Sequence, residues 1–246
     1  MGGRSSSGPA DRRVAGAVHA GSRDRRRDVK RELVLVRHGV TSWNTEGRIQ
    51  GQGGAGLSDD GHEQARLTAT WLEETFPHAR YYSSDLQRCR ETIAPLVERS
   101  GIDVEFREEL RERHFGEWTS HTHAEVEERW PELWAAWRRG EEIAAQIGGE
   151  TSAELTKRVC GFVDEVVSEL DSDGTAVLVT HGGPIWNGVH ELVGLPRGSL
   201  GGVGNASITV LHDYGHAVQL ALWNQVGHLP PRLRTWFRTG RAPGRR

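Results

Sequence analysis

Hydrophobic and polar positions along this chain switch repeatedly between two periods. "ELVLV" at 32–36 is an unbroken apolar run, the pattern of a strand buried on both faces. Residues 57–76, "LSDDGHEQARLTATWLEETF", change to helical spacing, with Ser58 and Asp59 as capping residues and Pro77 just beyond the end. "ARYYSS" at 79–84 predicts a second strand. Leu86, Cys89, Ile93, Leu96 and Val97 keep helical spacing up to Gly101, and "IDVEF" at 102–106 predicts a third strand. Residues 123–140 read as helical and rich in tryptophan. From 152 to 170, Leu155, Val159, Phe162, Val163, Val166 and Leu170 mark one apolar face of a long helix. "TAVLVTHGG" at 175–183 repeats the opening pattern, an apolar strand ending in a histidine followed by glycine. A helix over about 184–194 and two alternating runs, "ASITVLH" and "AVQLALWN", complete the pattern.

Strands alternating with helices predict an α/β protein: a three-layer α/β/α sandwich around a mostly parallel sheet. In such sheets ligands bind outside the carboxyl ends of the strands. "VRHG" and "VTHGG" put His38 and His181 at two such ends.

Composition narrows the class. With 246 residues, 36% hydrophobic and 26% charged, the chain suits one large domain with a real core. No apolar run approaches the ~20 residues of a membrane helix, so no membrane partner is expected. The net charge of −3 is unevenly placed: residues 1–31 and 232–246 are basic, while 32–231 carry a net −15. A nucleic-acid binder spreads positive charge over its folded face; here it sits on flanks of Gly, Ser, Pro and Arg. We expect a basic, disordered segment over 1–31, a domain over 32–231, an Arg-rich tail over 232–246, and no nucleic-acid partner. The N-terminal flank has no apolar core of a secretory signal. Cys89 and Cys160 are too few for a disulfide framework, and both fall on helical patterns. They predict core-facing thiols in a reducing, cytoplasmic setting.

Arg37 beside His38 is costly to bury, and three readings compete. A metal site needs neutral imidazoles with acidic or thiolate companions, and an adjacent arginine opposes a bound cation; no metal is expected. A structural histidine is a fair reading for one such position and a poor one for two in the same context. An anion site fits best, because arginine offers a planar fork of donors to phosphate oxygens. Positive neighbours also keep a histidine unprotonated and nucleophilic.

The stretches "LVRHGVTSWN", "YYSSDLQRCRET", "LRERHFGEW" and "LVTHGG" occur in the order and approximate spacing of the histidine phosphatase superfamily, also called phosphoglycerate-mutase-like, which the chain resembles over roughly 32–225. The resemblance implies that His38 attacks phosphorus and that Arg37 and Arg88 clamp the phosphoryl oxygens. It implies that His181 donates to the equatorial oxygens. It makes Glu112 the residue that protonates the leaving oxygen and then activates water. Asn44 and Gln50 match positions near the phosphate, and Gly182 offers a backbone N–H. No cofactor is implied. The resemblance also implies a helical cap over about 118–150, which covers the active site.

Neighbouring residues supply bland alternatives. Of Arg88 and Arg90, the spacing from Ser84 favours Arg88, leaving Arg90 a solvated charge. Glu108, Glu109 and Glu117 compete with Glu112, whose selection rests on the family motif. Thr41 either bonds near the pocket or starts a helix, and Gln50 either serves the site or is a loop residue. "GQGGAG" at 51–56 matches a dinucleotide fingerprint formally but does not follow its strand directly; we expect a mobile loop at the pocket rim. His121, His123, His212 and His216 read as surface histidines. Trp130, Trp134 and Trp137 form a packing stripe.

Phosphatases and cofactor-dependent phosphoglycerate mutases share this catalytic core. Between 118 and 150 the basic residues are Arg129, Arg138 and Arg139, among many acids. That is a poor lining for a second phosphate, so the reading is a metal-independent phosphomonoester hydrolase of bacterial type. Its substrate is a small phosphorylated metabolite, a sugar phosphate or phosphoglycerate-type ester. A mutase and a non-enzymatic phospho-ligand binder are the alternatives, and a homodimer is compatible with the chain.

Overall fold

The computed structural model describes residues 30–235, together with Gly2. The expected basic segment 1–31 and Arg-rich tail 232–246 therefore lie almost wholly outside the described residues. Residues 232–235 belong with the packed chain: Leu233 is buried against Ala206 and Leu229, and its carbonyl accepts from Gln64 Nε2 at 2.7 Å.

Among the described residues six strands form one sheet in the order β3-β2-β4-β1-β5-β6: β1 (Arg31–Arg37), β2 (Arg80–Ser84), β3 (Val104–Arg107), β4 (Thr175–Thr180), β5 (Ile208–Asp213) and β6 (Val218–Gln225). β3, β2, β4 and β1 run parallel, and β5 and β6 form an antiparallel hairpin on β1. The unbroken "ELVLV" run follows from this central position. Leu33 and Leu35 enter one core layer with Phe162, Val163 and Val166 of α7 (Ser152–Glu169) and Ile185 and Val189 of α8 (Gly182–Val193). Val34 and Val36 enter the other, with Ala69 and Leu72 of α2 (Asp59–Thr75) and Cys89, Ile93 and Leu96 of α3 (Gln87–Ser100). A strand whose alternate residues meet two helical layers has no polar face to show.

The expected cap is helical, but 123–140 is two helices, α4 (His123–Arg129) and α5 (Pro131–Arg139), followed by α6 (Ala144–Ile147). Proline has no N–H to continue α4, and it sits at the first position of α5, where none is needed. The cap has its own small core of Trp118, Val126, Trp134, Ile143 and Ile147, joined by Ile49. The tryptophan stripe packs as expected: Trp134 stacks on Trp137 at 5.1 Å and meets Trp118 at 6.0 Å. A short helix, α1 (Ser42–Glu46), follows β1 and is capped by Thr41.

Candidate active site

β1 and β4 pair in parallel with Arg37 opposite Thr180, so the next residues, His38 and His181, leave neighbouring strands at the same end. Their rings lie 5.1 Å apart. His38 Nδ1 is 2.7 Å from the Gly39 carbonyl, which can only accept. Nδ1 therefore carries the hydrogen, and Nε2 keeps its lone pair. The glycine after His38 is required by space: a Cβ there would stand 2.8 Å from the Gly61 carbonyl of α2. His38 is buried, and its pKa lies well below the ordinary imidazole value because of burial first, then Arg88 and Arg37.

Arg37 and Arg88 are both buried. Arg37 Nη1 donates to the Val203 carbonyl at 2.6 Å, and burial lowers its pKa to about 10 against the opposing pull of Glu112. Arg88, in the first turn of α3, donates from Nε to His181 Nδ1 at 3.1 Å and from Nη1 and Nη2 to the carbonyls of Gly53 and Gly51, each at 2.7 Å. The glycine-rich stretch 51–56 is thus tied to Arg88, where the sequence reading has a mobile loop. Arg90 is exposed and stacks over Phe106 at 3.8 Å.

His181 is fully buried, and its Nε2 donates to Ser84 Oγ at 2.9 Å. Nδ1, accepting from Arg88, has no hydrogen to give. Both ring nitrogens are engaged, so in this arrangement His181 orients Arg88 and does not itself present a donor to a phosphoryl group. Burial first, then Arg88, His38 and Arg37, holds its pKa well below the usual value. Cys89 Sγ lies 3.4 Å from His181 Nε2, and burial pushes its thiol up to about 12. Cys160 is only partly buried, unlike the core-facing thiol expected.

Glu112 is held by two backbone amides, Oε1 accepting from Arg113 N at 2.8 Å and Oε2 from Gly183 N at 3.2 Å. Gly183 leaves room for this: a Cβ would stand 2.1 Å from Glu112 Oε1. Glu108 is exposed and pairs with Arg111, while Glu117 is also exposed. Gly182 opens α8 beside Arg37, so a helix N-terminus and a guanidinium face the same region, a favourable place for an anion. Thr41 and Asn44 form a capping box. Asn44 Oδ1 also accepts from Asn205 Nδ2 at 3.1 Å, so what its amide still offers a ligand is its NH2 group. Gln50 is buried, and its Oε1 has no hydrogen-bond partner among the described residues. A Cβ on Gly54 would lie 3.2 Å from that oxygen and 3.5 Å from Arg88 Nη1, which places Gln50 near the arginine.

The sequence profile described as histidine phosphatase superfamily (branch 1) matches residues 33–226. The glucosyl-3-phosphoglycerate phosphatase of Mycolicibacterium vanbaalenii is 40% identical over 196 residues, covering 76% of this chain and 86% of that protein. The metal-independent phosphoserine phosphatase of Arabidopsis thaliana is 31% identical over 201 residues, covering 80% of this chain and 83% of that protein. Among solved structures, mycobacterial glucosyl-3-phosphoglycerate phosphatase with VO3 superposes with a TM-score of 0.71 at 37% identity, covering 80% of this chain and all of that one. The chain belongs to the histidine phosphatase superfamily.

Three residues of this histidine phosphatase escaped sequence reasoning as site residues. Ser84 served only as a spacing mark, yet its Oγ lies 2.9 Å from His181 Nε2 and accepts the hydrogen that the Arg88 contact at Nδ1 leaves there. Cys89 read as plain core. Asn205 stitches the site together: its Nδ2 reaches the carbonyls of His38 at 3.2 Å and Gly39 at 3.3 Å as well as Asn44. Among the described residues no group of three or more His, Cys, Asp or Glu is arranged to hold a metal. His121 and His123 pack against Trp130 and Trp134, at 5.1 and 5.3 Å.

Proposed function

We propose that this histidine phosphatase hydrolyses a small phosphomonoester through a phosphohistidine at His38, and that the ester is a phosphoglycerate carrying a sugar. The observation that carries the reading is the unprotonated Nε2 of His38, buried between Arg37 and Arg88 with an amide-held carboxylate at the same strand ends. Nε2 attacks phosphorus and the P–O ester bond breaks. Glu112 gives its proton to the leaving alkoxide oxygen, and the product alcohol departs. Water then attacks phosphorus, its proton passing to Glu112, and the P–N bond breaks, which releases inorganic phosphate and restores both groups. Negative charge on the equatorial oxygens meets Arg37, Arg88, the Gly182 N–H and the Asn44 NH2 group; preorganised donors of this kind supply most of the catalysis in phosphoryl transfer. Gln50 Oε1, lacking a donor, suits a hydroxyl of the substrate.

The sugar-bearing ester is supported by the similarity to glucosyl-3-phosphoglycerate phosphatases. Hydrolysis, as opposed to transfer, is supported by the cap. Its arginines are engaged elsewhere, Arg129 over Trp130, Arg138 over Trp134 and Arg139 with Glu141. The unpaired thiols of Cys89 and Cys160 suit a reducing compartment.

Phosphate release from glucosyl-3-phosphoglycerate, 3-phosphoglycerate, phosphoserine and sugar phosphates, with and without EDTA, tests this. The expected result is release fastest from the sugar-bearing ester and undiminished by the chelator. Interconversion of phosphoglycerates without phosphate release would replace the reading with a mutase, and strong EDTA inhibition would reopen a metal mechanism.

A further inference from the structure

Glu112 lies between the 3₁₀ turn Glu108–Leu110 and the cap, and its carbonyl accepts from Gln52 Nε2 at 3.3 Å. Its two carboxylate contacts are single amide bonds, one of them to the next residue. Arg111 pairs with Asp85 and Arg113 with Glu142, and a further ion pair, Arg158 with Glu150, bonds the backbone on both sides of Glu112. Arg158, on α7, donates from Nη1 to the carbonyls of Glu109 at 2.7 Å, Arg111 at 3.0 Å and Glu108 at 3.4 Å. Its Nε and Nη2 grip the Glu150 carboxylate in parallel, at 2.9 and 2.7 Å. Glu150 then holds the far side: its carboxylate accepts from His114 N at 3.3 Å, and its carbonyl accepts from Arg113 Nε at 2.6 Å. Residues 108, 109, 111, 113 and 114 are thereby each bonded to Arg158 or Glu150, with Glu112 between them. Both side chains are largely shielded, 22% and 15% exposed, where a bidentate pair is rigid and weakly screened.

We propose that Arg158, fastened to Glu150, is the positioning residue for the acid step: it holds the 108–114 stretch so that the Glu112 carboxyl faces the leaving oxygen. This rests on the reading of Glu112 as the proton donor given above. Only the planar guanidinium can serve several carbonyls and a carboxylate at once; an ammonium on a flexible stem cannot. Loss of the fork frees the carbonyls of Glu108, Glu109 and Arg111 before Glu112 and loosens the Glu150 contacts to Arg113 and His114 after it, and a displacement of about 1 Å in a catalytic group can cost about 100-fold.

A structural strut between cap and core predicts something different, and the leaving group separates the two. p-Nitrophenolate leaves from phosphorus without a proton, whereas the alkoxide of 3-phosphoglycerate needs one. In Arg158→Gln, kcat/KM for 3-phosphoglycerate is expected to fall about 100-fold, the scale of a misplaced acid. For p-nitrophenyl phosphate it should change little, and Glu150→Gln should show the same selectivity. Arg158→Lys carries the same test where the glutamine variant does not fold. An equal fall on both esters, or none on either, overturns the proposal. Glu112→Gln, assayed on the same pair, keeps the two claims apart. Selectivity there without selectivity at Arg158 removes only the positioning role. No selectivity at Glu112 removes the acid reading and this proposal with it.

Discussion

At His38 burial and two neighbouring arginines all oppose the imidazolium, and at His181 the same groups act together with His38. His228 is a third case, with burial lowering its pKa to about 4. These shifts have a definite sign for stability. Below the ordinary imidazole pKa of about 6.5 the unfolded histidines take up protons that the folded ones refuse. The unfolded chain then binds more protons, so stability is lost as pH falls below about 6.5, by about 1.4 kcal/mol per pH unit for each such group. Urea unfolding across this range should show that loss, with a slope smaller by one proton in His38→Gln; an unchanged slope would mean His38 is protonated in the folded chain. Gly183→Ala is a second test at this scale. Its Cβ would fall 2.1 Å from Glu112 Oε1, so the carboxylate must move, and kcat should drop at least 10-fold with little change in thermal unfolding. The choice of Arg88 over Arg90 was legible from its spacing to Ser84. The parts played by Ser84 and Asn205 were not, because their partners lie 97 and 167 residues away and nothing local marks them.

Strands were legible where both faces meet a helix layer, as in β1 and β4, and less so at β3, an edge strand with an exposed Phe106. The cap was legible as helical but not as two helices, because the tryptophan stripe runs straight across Trp130–Pro131 while the backbone does not. The glycine-rich stretch 51–56 misled for a related reason. Glycine composition reports what the backbone is free to do, not that the Gly51 and Gly53 carbonyls have a buried guanidinium to accept from. The cap core makes a separate prediction. Trp134 is buried against Trp118, Trp137 and His123, so Trp134→Ala should cost about 3–5 kcal/mol, the usual scale for a buried tryptophan. Hydrogen exchange should locate the loss in 118–150, with β1 and β4 amides still protected; uniform loss of protection would mean that the cap and sheet unfold together.

At the scale of the whole molecule, the site exists because sheet order differs from chain order. β1 and β4 are separated by more than half the chain, yet they are neighbours, and their parallel pairing brings "VRHG" and "VTHGG" to one edge. α3 adds Arg88 from the second core layer, the 108–114 stretch adds Glu112, and the 200–205 loop closes behind with Val203 and Asn205. Motif order was readable in the sequence, and the convergence required the topology. The proposed reaction turns on the lone pair of His38 Nε2 becoming a bond to phosphorus. The direct measurement is rapid alkaline quenching of the protein during turnover of a phosphate ester, followed by peptide mass spectrometry. The expected result is an acid-labile, alkali-stable phosphoryl group on His38, absent in His38→Ala, which should not turn over. Wild-type turnover by His38→Ala, or a phosphoryl group trapped on any other residue, would contradict it.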